Sequence, residues 1–255
     1  IGRLVQATLR RAGLAGDDLL RAVALLDSRG LVVDLEGHGE PFRRSLAWPP
    51  ALAERMGLGA GQAKDLLAVV RAVRPTVLVG VSGAPGSFSE IVVREVASHV
   101  ERPAIFPMSN PTSQCEAVPQ DVLGWTEGRA LLATGSPFEP VTAGGRTVRI
   151  GQGNNAFVFP GIGLGALLAE AREITDGMFS VAAACLATQV SDADLAAGSL
   201  FPPIADLRRV TARIAEAVVR EARESGVGRT LPDEAIPAAV AAAMWNPVYL
   251  PLEPT

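Results

Sequence analysis

The sequence predicts an α/β protein with a doubly wound parallel sheet, followed by a helical C-terminal segment. Two observations lead to this prediction. Between residues 76 and 134, short β-branched or apolar runs bounded by turns alternate with a helical stretch, as expected for strands buried on both faces of a sheet. From residue 155 onward the recurring pattern is helical, and residues 226–255 are rich in proline.

The composition is that of a globular protein and excludes several classes of function. Of the 255 residues, 48% are hydrophobic and 20% are charged. The 23 basic and 27 acidic residues give a net charge of −4, and in the absence of a basic run we expect no nucleic-acid partner. The longest apolar run, residues 156–169, contains Pro160 and is shorter than the roughly 20 residues that cross a bilayer. We therefore expect no membrane partner.

The cysteines and histidines do not indicate a metal site. Cys115 and Cys185 stand alone, which is typical of reduced thiols in a cytoplasmic protein. His38 and His99 have no cysteine or acid at the spacing of metal ligands, so we interpret both as structural or exposed.

The first 75 residues predict short elements separated by turns. Residues 4–12 are amphipathic and predict a helix that Gly13 ends. An apolar run over residues 22–27 predicts an early strand ending in Asp27. Residues 36–50 read as a loop, and residues 51–73 are helical in composition with a weak point at the glycines of residues 57–61.

The next part predicts the sheet. Strands are expected at residues 76–81, 103–108 and 129–134, and a helix at residues 87–100. Each strand is followed by a small polar loop with glycine or proline; these loops are residues 82–86, 109–112 and 135–138. Ligands of open parallel sheets bind at the carboxyl ends of the strands, so three such loops predict one continuous binding rim. Taken singly, each loop is equally consistent with an ordinary turn.

Two further features have a functional and a structural interpretation. Asp27 stands where a dinucleotide-binding fold uses an acid to accept ribose hydroxyls, but a solvated acid at a turn fits its position equally well. Asn154 and Asn155 precede an apolar helical stretch, either as helix caps or as amide donors to a carboxylate ligand. Beyond an edge strand at residues 147–150, helices are expected at residues 161–173, 177–190, 206–224 and 232–244.

Several segments together resemble malic enzymes, in order and in spacing. They are residues 102–112 (RPAIFPMSNPT), 126–129 (TEGR), 134–138 (TGSPF), 151–155 (GQGNN) with 159–161 (FPG), and 200–204 (LFPPI). The resemblance extends from residue 1 to about residue 226. It implies a Rossmann-like NAD(P)-binding domain over residues 1–154, truncated at its N-terminus. It further implies a helical segment over residues 155–226 that packs on a catalytic domain, and a C-terminal tail over residues 227–255.

The resemblance also implies an activity. Malic enzymes oxidise and decarboxylate (S)-malate to pyruvate and CO2 with NAD or NADP and with Mg or Mn, and they assemble as homodimers or homotetramers. By the matching motifs, Asn110, Asn154 and Asn155 correspond to substrate-binding residues. The cofactor-binding positions that the motifs imply are Asp27, near the adenosine ribose, Ser82, Gly83 and Ala84, in the loop along the nicotinamide end, and Asn110. The acidic loop at residues 36–42 favours NAD slightly, although Arg29, Arg43 and Arg44 are close to it in sequence.

The family's catalytic residues have no counterpart in the matched motifs. The catalytic Lys and Tyr and the metal carboxylates of malic enzymes precede the dinucleotide fingerprint, and this chain resembles the part that follows it. We therefore expect them upstream of residue 1. The single lysine, Lys64, and the single tyrosine, Tyr249, match no catalytic motif. We expect the isolated chain to be inactive. The alternatives are a non-catalytic module that binds a nucleotide or a partner, and a different doubly wound dehydrogenase.

Overall fold

A computed structural model describes residues 1–34 and 41–246, which form two compact units. The first unit contains Ile1–Asn154 and Val190–Pro202, and the second contains Asn155–Gln189 and the chain from Pro203 onward. Residues 36–40 of the expected loop, His38 and Tyr249 lie outside the described residues.

The chain begins with short helices and a small hairpin. The helices are α1 (Gly2–Arg11), α2 (Gly16–Arg21), α3 (Pro41–Arg44), α4 (Pro50–Arg55) and α5 (Leu66–Val73). Between α2 and α3, strands β1 (Leu26–Asp27) and β2 (Gly30–Leu31) pair antiparallel. The expected helical region divides at its glycine-rich weak point, since α4 ends at Arg55 and α5 begins after Asp65, whose side chain caps it. Trp48, Leu52 and Leu58 are almost fully buried in the core of this region.

The parallel sheet has four strands, which confirms the predicted fold class. In chain order, the elements that follow α5 are β3 (Val77–Gly80), α6 (Glu90–His99), β4 (Ala104–Pro107), α7 (Pro119–Trp125), β5 (Leu131–Thr134), β6 (Val141–Ala143), β7 (Arg146–Val148) and β8 (Gly151–Gln152). Strands β3, β4, β5 and β8 are parallel neighbours in that order. The three predicted strands are thus confirmed, whereas no strand was expected at the position of β8.

One face of the sheet forms the core of the first unit. Leu78, Ile105 and Leu132 point to this face from three neighbouring strands and pack with valines of α6 and with residues of α7. The alternate residues Val77 and Val79 lie on the opposite face and remain 48% and 45% exposed. This alternation is the period-2 pattern of a strand with one covered face, so the expected burial of β3 on both faces is wrong.

Two short segments complete the first unit. The expected edge strand near residues 147–150 is β7, which pairs with β6 in an antiparallel hairpin and is not part of the parallel sheet. Residues 190–202 contain α10 (Asp192–Ala196). This segment is held by Arg149, whose guanidinium donates to the Asp194 carboxylate over 2.8 Å and whose backbone N–H donates to the Ala197 carbonyl over 2.8 Å. A hydrogen bond from Ser191 and the Arg149 guanidinium hold the pKa of Asp194 below its usual range.

The second unit is helical. It contains α8 (Phe159–Leu168), α9 (Asp176–Ala187), α11 (Leu207–Glu224) and α12 (Ile236–Ala243). Helix α11 packs against both α8 and α9. Gly161 and Gly165 let α8 approach α11 closely, because a Cβ at either position would lie within 3 Å of Ile214 or Val218. Across the described residues, no helix combines the length and the apolar character required to cross a membrane.

Candidate functional site

The carboxyl ends of the four parallel strands meet at one edge of the sheet, where their loops are joined by hydrogen bonds. The loop after β3 contains Ser82, Gly83 and Ala84, and the loop after β4 contains Ser109 and Asn110. The Gly83 N–H donates to the Ser109 hydroxyl over 2.9 Å, which ties these loops together. The structure therefore brings together four of the cofactor-site residues that the sequence predicts.

The same line of contacts continues to β5 and β8. The Ser136 hydroxyl, in the loop after β5, donates to the Asn110 side-chain oxygen. The Gln152 amide on β8 donates to the Gly135 carbonyl over 3.2 Å. Gly135 has to lack a side chain, because a Cβ there would collide with the Met108 carbonyl oxygen. The loops therefore form a continuous rim with closely packed backbones.

Glu116 lies beneath this rim and is the residue that sequence reasoning missed. Its side chain is fully buried, with an exposed fraction of 0%. One carboxylate oxygen accepts hydrogen bonds from the Ser82 N–H (2.8 Å), the Ser82 hydroxyl (2.9 Å) and the Ser109 hydroxyl (2.6 Å). The other oxygen accepts from the Ser109 N–H over 3.3 Å. One carboxylate therefore holds both loops.

The local backbone makes room for this carboxylate. Glu116 follows a short 3₁₀ helix (Thr112–Gln114), and its carbonyl oxygen accepts a hydrogen bond from the Phe88 N–H over 3.1 Å. The carboxylate lies against the last residue of β3, Gly80, where a Cβ would approach the Glu116 side chain to 2.6 Å. The sequence contains a signal for this site: Glu116 stands between Cys115 and Ala117, in a stretch from residue 103 to residue 128 without a basic residue.

Glu116 is held in its ionised form. Burial acts to raise the pKa of its carboxyl group, but the hydrogen bonds from Ser109 and Ser82 together outweigh burial and leave the pKa below its usual range. Within the described part of the chain, no arginine, lysine or histidine forms an ion pair with this carboxylate. The negative charge beneath the rim is thus stabilised by neutral donors alone.

Asp27 occupies a different part of the first unit. It ends a strand, as expected, but among the described residues β1 pairs with β2 and not with the parallel sheet. Its carboxylate accepts a hydrogen bond from the Arg29 N–H over 2.7 Å and forms an ion pair with the Arg43 guanidinium. A role for Asp27 at a ribose stays a prediction.

Asn154 and Asn155 stand at the boundary of the two units. The Asn154 N–H donates to the Gln152 carbonyl over 3.1 Å, and Asn154 is the last residue of its segment in the first unit. Asn155 begins a 3₁₀ helix (Asn155–Phe157) in the second unit, and its carbonyl accepts from the Val158 N–H. Their proposed contacts with a substrate carboxylate stay a prediction.

The remaining candidate residues lie outside the rim. Lys64 was placed on a helix by its sequence context, but it precedes α5, and its carbonyl accepts a hydrogen bond from the Leu31 N–H over 2.9 Å. Burial raises the pKa of the Cys115 and Cys185 thiols. In residues 1–34 and 41–246, no three His, Cys, Asp or Glu side chains are grouped so as to hold a metal ion.

Comparison with known proteins shows which family this architecture belongs to. The family described as "Malic enzyme, NAD binding domain" matches residues 1–223. A relative in Bacillus subtilis, named NAD-dependent malic enzyme 3, is 43% identical over 99% of this chain. A NAD-dependent malic enzyme of Vibrio parahaemolyticus is 49% identical over 98% of this chain. The chain spans 44% of the length of each of these relatives.

A solved structure agrees with this result. The crystal structure of a malic enzyme from Pyrococcus horikoshii is similar to this chain with a TM-score of 0.56 and a sequence identity of 26%. The similarity covers 79% of this chain and 40% of that enzyme.

Proposed function

The chain belongs to the malic enzyme family and contains its NAD-binding domain, and from this premise we propose that it is the cofactor-binding part of a decarboxylating malate dehydrogenase. The protein that carries it would convert (S)-malate to pyruvate and CO2. The observation that carries the proposal is the continuous rim at the carboxyl ends of β3, β4, β5 and β8, which is where ligands bind in this class of sheet.

The exposed side of the rim is suited to a nicotinamide cofactor. The backbone at Gly83 can be approached closely, since a Cβ there would find only the Gln114 side chain, at 3.8 Å. Ser82, Ala84 and Asn110 are exposed at the same edge. In this proposal Ser82, Gly83, Ala84 and Asn110 hold the cofactor, and Asp27 binds its adenosine ribose. NAD is favoured over NADP because the similar relatives are named as NAD-dependent.

The asparagines supply the proposed substrate contacts. In this proposal Asn110 contacts the substrate, and the amide N–H group of either Asn154 or Asn155 binds the malate carboxylate. When bound, NAD accepts the hydride from the malate C2.

The metal and the proton-transfer groups are assigned to the rest of the longer protein. The described residues hold no suitable cluster for Mg or Mn, so no metal-dependent step is assigned to this chain. Neither Lys64 nor Tyr249 matches a family motif for the catalytic base or acid. We propose that the 255-residue chain alone does not oxidise malate, and that the carrying protein is a cytoplasmic homodimer or homotetramer.

The proposal is tested by calorimetric titration of NAD into the purified chain, together with a spectrophotometric assay for NADH. We expect saturable NAD binding that does not require metal, and no NADH formation from malate and Mn²⁺. Metal-dependent turnover by the pure chain would contradict the proposed inactivity. A folded chain that binds no NAD would contradict the proposed cofactor role. The alternative is a non-catalytic module. It predicts that the chain binds NAD but forms no NADH from malate even when the catalytic part of a malic enzyme is added.

A further inference from the structure

The buried carboxylate of Glu116 sets the direction of the hydrogen bonds around the loop after β3. Because an ionised carboxylate only accepts, the hydroxyl protons of Ser82 and Ser109 both point toward it. The lone pairs of these two hydroxyls are then free to accept from the Ala84 N–H over 3.2 Å and from the Gly83 N–H over 2.9 Å.

This arrangement turns three consecutive backbone amides of the loop inward. The Ser82 N–H donates directly to Glu116, and the N–H groups of Gly83 and Ala84 donate to the two hydroxyls. Among the residues that the structure describes, none donates to the Ser82 or Gly83 carbonyl oxygen. A glycine-rich loop that binds phosphate presents its N–H groups to the ligand, and this loop does the opposite.

The charge beneath the loop acts in the same direction. The Glu116 carboxylate is fully buried and is stabilised by neutral donors, so its negative charge is not cancelled by a neighbouring cation in the described part of the chain. A positive charge placed above the loop would be attracted to it, and a negative one repelled.

We propose that Glu116 is a positioning residue: it fixes the loop at Ser82–Ala84, which the resemblance to malic enzymes already implies is at the nicotinamide end, and its charge favours the cationic, oxidised ring. This inference rests on the proposed function and deepens it. The oxidised ring carries a positive charge that the reduced ring lacks. The cofactor's carboxamide can also donate to the outward carbonyls. The structure thus assigns to Glu116 a preference for the oxidised over the reduced cofactor.

The test measures equilibrium affinities of the 255-residue chain for NAD⁺, NADH and ADP-ribose, which lacks the nicotinamide. The variant Glu116→Gln removes the charge and preserves the size of the side chain. We expect its NAD⁺ affinity to fall about tenfold, its NADH affinity to fall less than about threefold, and its ADP-ribose affinity to stay unchanged. Asp121→Asn, an exposed acid on α7, is the matched control and is expected to change none of the three.

A second variant separates position from charge. Ser109→Ala keeps the carboxylate but removes the hydroxyl that links Gly83 to Glu116. We therefore expect the affinities for NAD⁺ and NADH to fall equally and the affinity for ADP-ribose to stay unchanged. This variant also serves if Glu116→Gln fails to fold. A loss of ADP-ribose affinity in either folded variant would mean that the loop binds phosphate, and would overturn the inference.

The remaining outcomes are equally decisive. Equal losses of NAD⁺ and NADH affinity in folded Glu116→Gln, or no loss, would overturn the charge preference and leave the proposed function intact. If the wild-type chain binds none of the three ligands, the proposed cofactor role fails and the nicotinamide preference fails with it. In that case, amide hydrogen exchange at Ser82–Ala84 tests the positioning role. This role requires the three amides to exchange faster in Glu116→Gln than in the wild type.

Discussion

Glu116 keeps its charge in the core because every polar group that it meets is a donor. An unpaired buried carboxylate would be strongly unfavourable, and here four hydrogen bonds from Ser82 and Ser109 replace its hydration. The sequence showed that the loops matter, because a small polar loop with glycine or proline follows each of β3, β4 and β5. It could not show that Glu116 joins them, since one partner, Ser82, lies 34 positions away in the chain and the other, Ser109, lies 7 positions away.

The close approach of Gly80 to Glu116 gives a first prediction. Gly80→Ala should destabilise the first unit by about 1–3 kcal/mol, because its Cβ would force the carboxylate away from its donors. Gly124→Ala is the control, since it adds a Cβ in open space on α7 and removes backbone freedom from the unfolded chain. Urea unfolding of both variants checks this, and equal stability of Gly80→Ala and the wild type would contradict it.

The lowered pKa of Glu116 predicts a pH-dependent stability. Its folded pKa lies below the unfolded value of about 4.3, so the stabilisation is complete above that pH and is lost as the pH falls through the folded pKa. Glu116→Gln should therefore cost about 1–3 kcal/mol at pH 7, and less below pH ~4. Urea unfolding at both pH values measures the difference. Glu95→Gln, which removes a largely exposed ion pair, should cost less than about 1 kcal/mol at pH 7.

At the scale of secondary-structure elements, the sequence predicted the structure where the run of apolar residues, or its period, was long enough to recognise. Strands β3, β4 and β5 were predicted from β-branched or apolar runs ending in turns, and α11 was predicted within one residue of its observed start. Strand β8 was missed because two residues are too few to show a period. In β2, Gly30 has a positive φ and leaves no room for a Cβ beside the Lys64 carbonyl oxygen, a requirement that hydrophobic spacing does not show.

The packing of α8 on α11 supplies a prediction with a control on the same helix. Gly165→Ala would place a Cβ 2.7 Å from both the Ala215 carbonyl oxygen and the Val218 side chain, and we expect a loss of about 1–3 kcal/mol. Gly163→Ala meets nothing within 4 Å and should stabilise the helix by up to about 1 kcal/mol. Thermal unfolding of the two variants should give shifts of opposite sign, and shifts of the same sign would contradict this account of the packing.

At the scale of the whole molecule, family and fold class were predictable because the motifs recur in order along the chain. The domain boundaries at residues 154 and 226 stay a prediction, although the two compact units of the structure divide between Asn154 and Asn155. Residues 190–202 belong to the first unit, where Asp194 forms an ion pair with Arg149. Tertiary ion pairs of this kind have no signature in a single sequence.

Exposed apolar side chains on the second unit predict self-association. Phe159 and Leu167 on α8 are 66% and 78% exposed, and Phe179 on α9 is also exposed. Sedimentation velocity should show concentration-dependent association of the pure chain, reduced in Leu167→Gln. Leu195→Gln, which removes an exposed leucine from α10 in the first unit, is the matched control. A wild-type chain that stays monomeric at every concentration would contradict this prediction.

The central claim is that the carboxyl ends of the parallel strands form the cofactor site. The most direct measurement is the change in amide chemical shifts when NAD is titrated into the isotope-labelled chain. We expect the largest changes at Ser82–Ala84, at the Asn110 side chain and at Gly135–Ser136, with little change in α11 and α12. Changes confined to the second unit or to the exposed surface of α6 would contradict the claim.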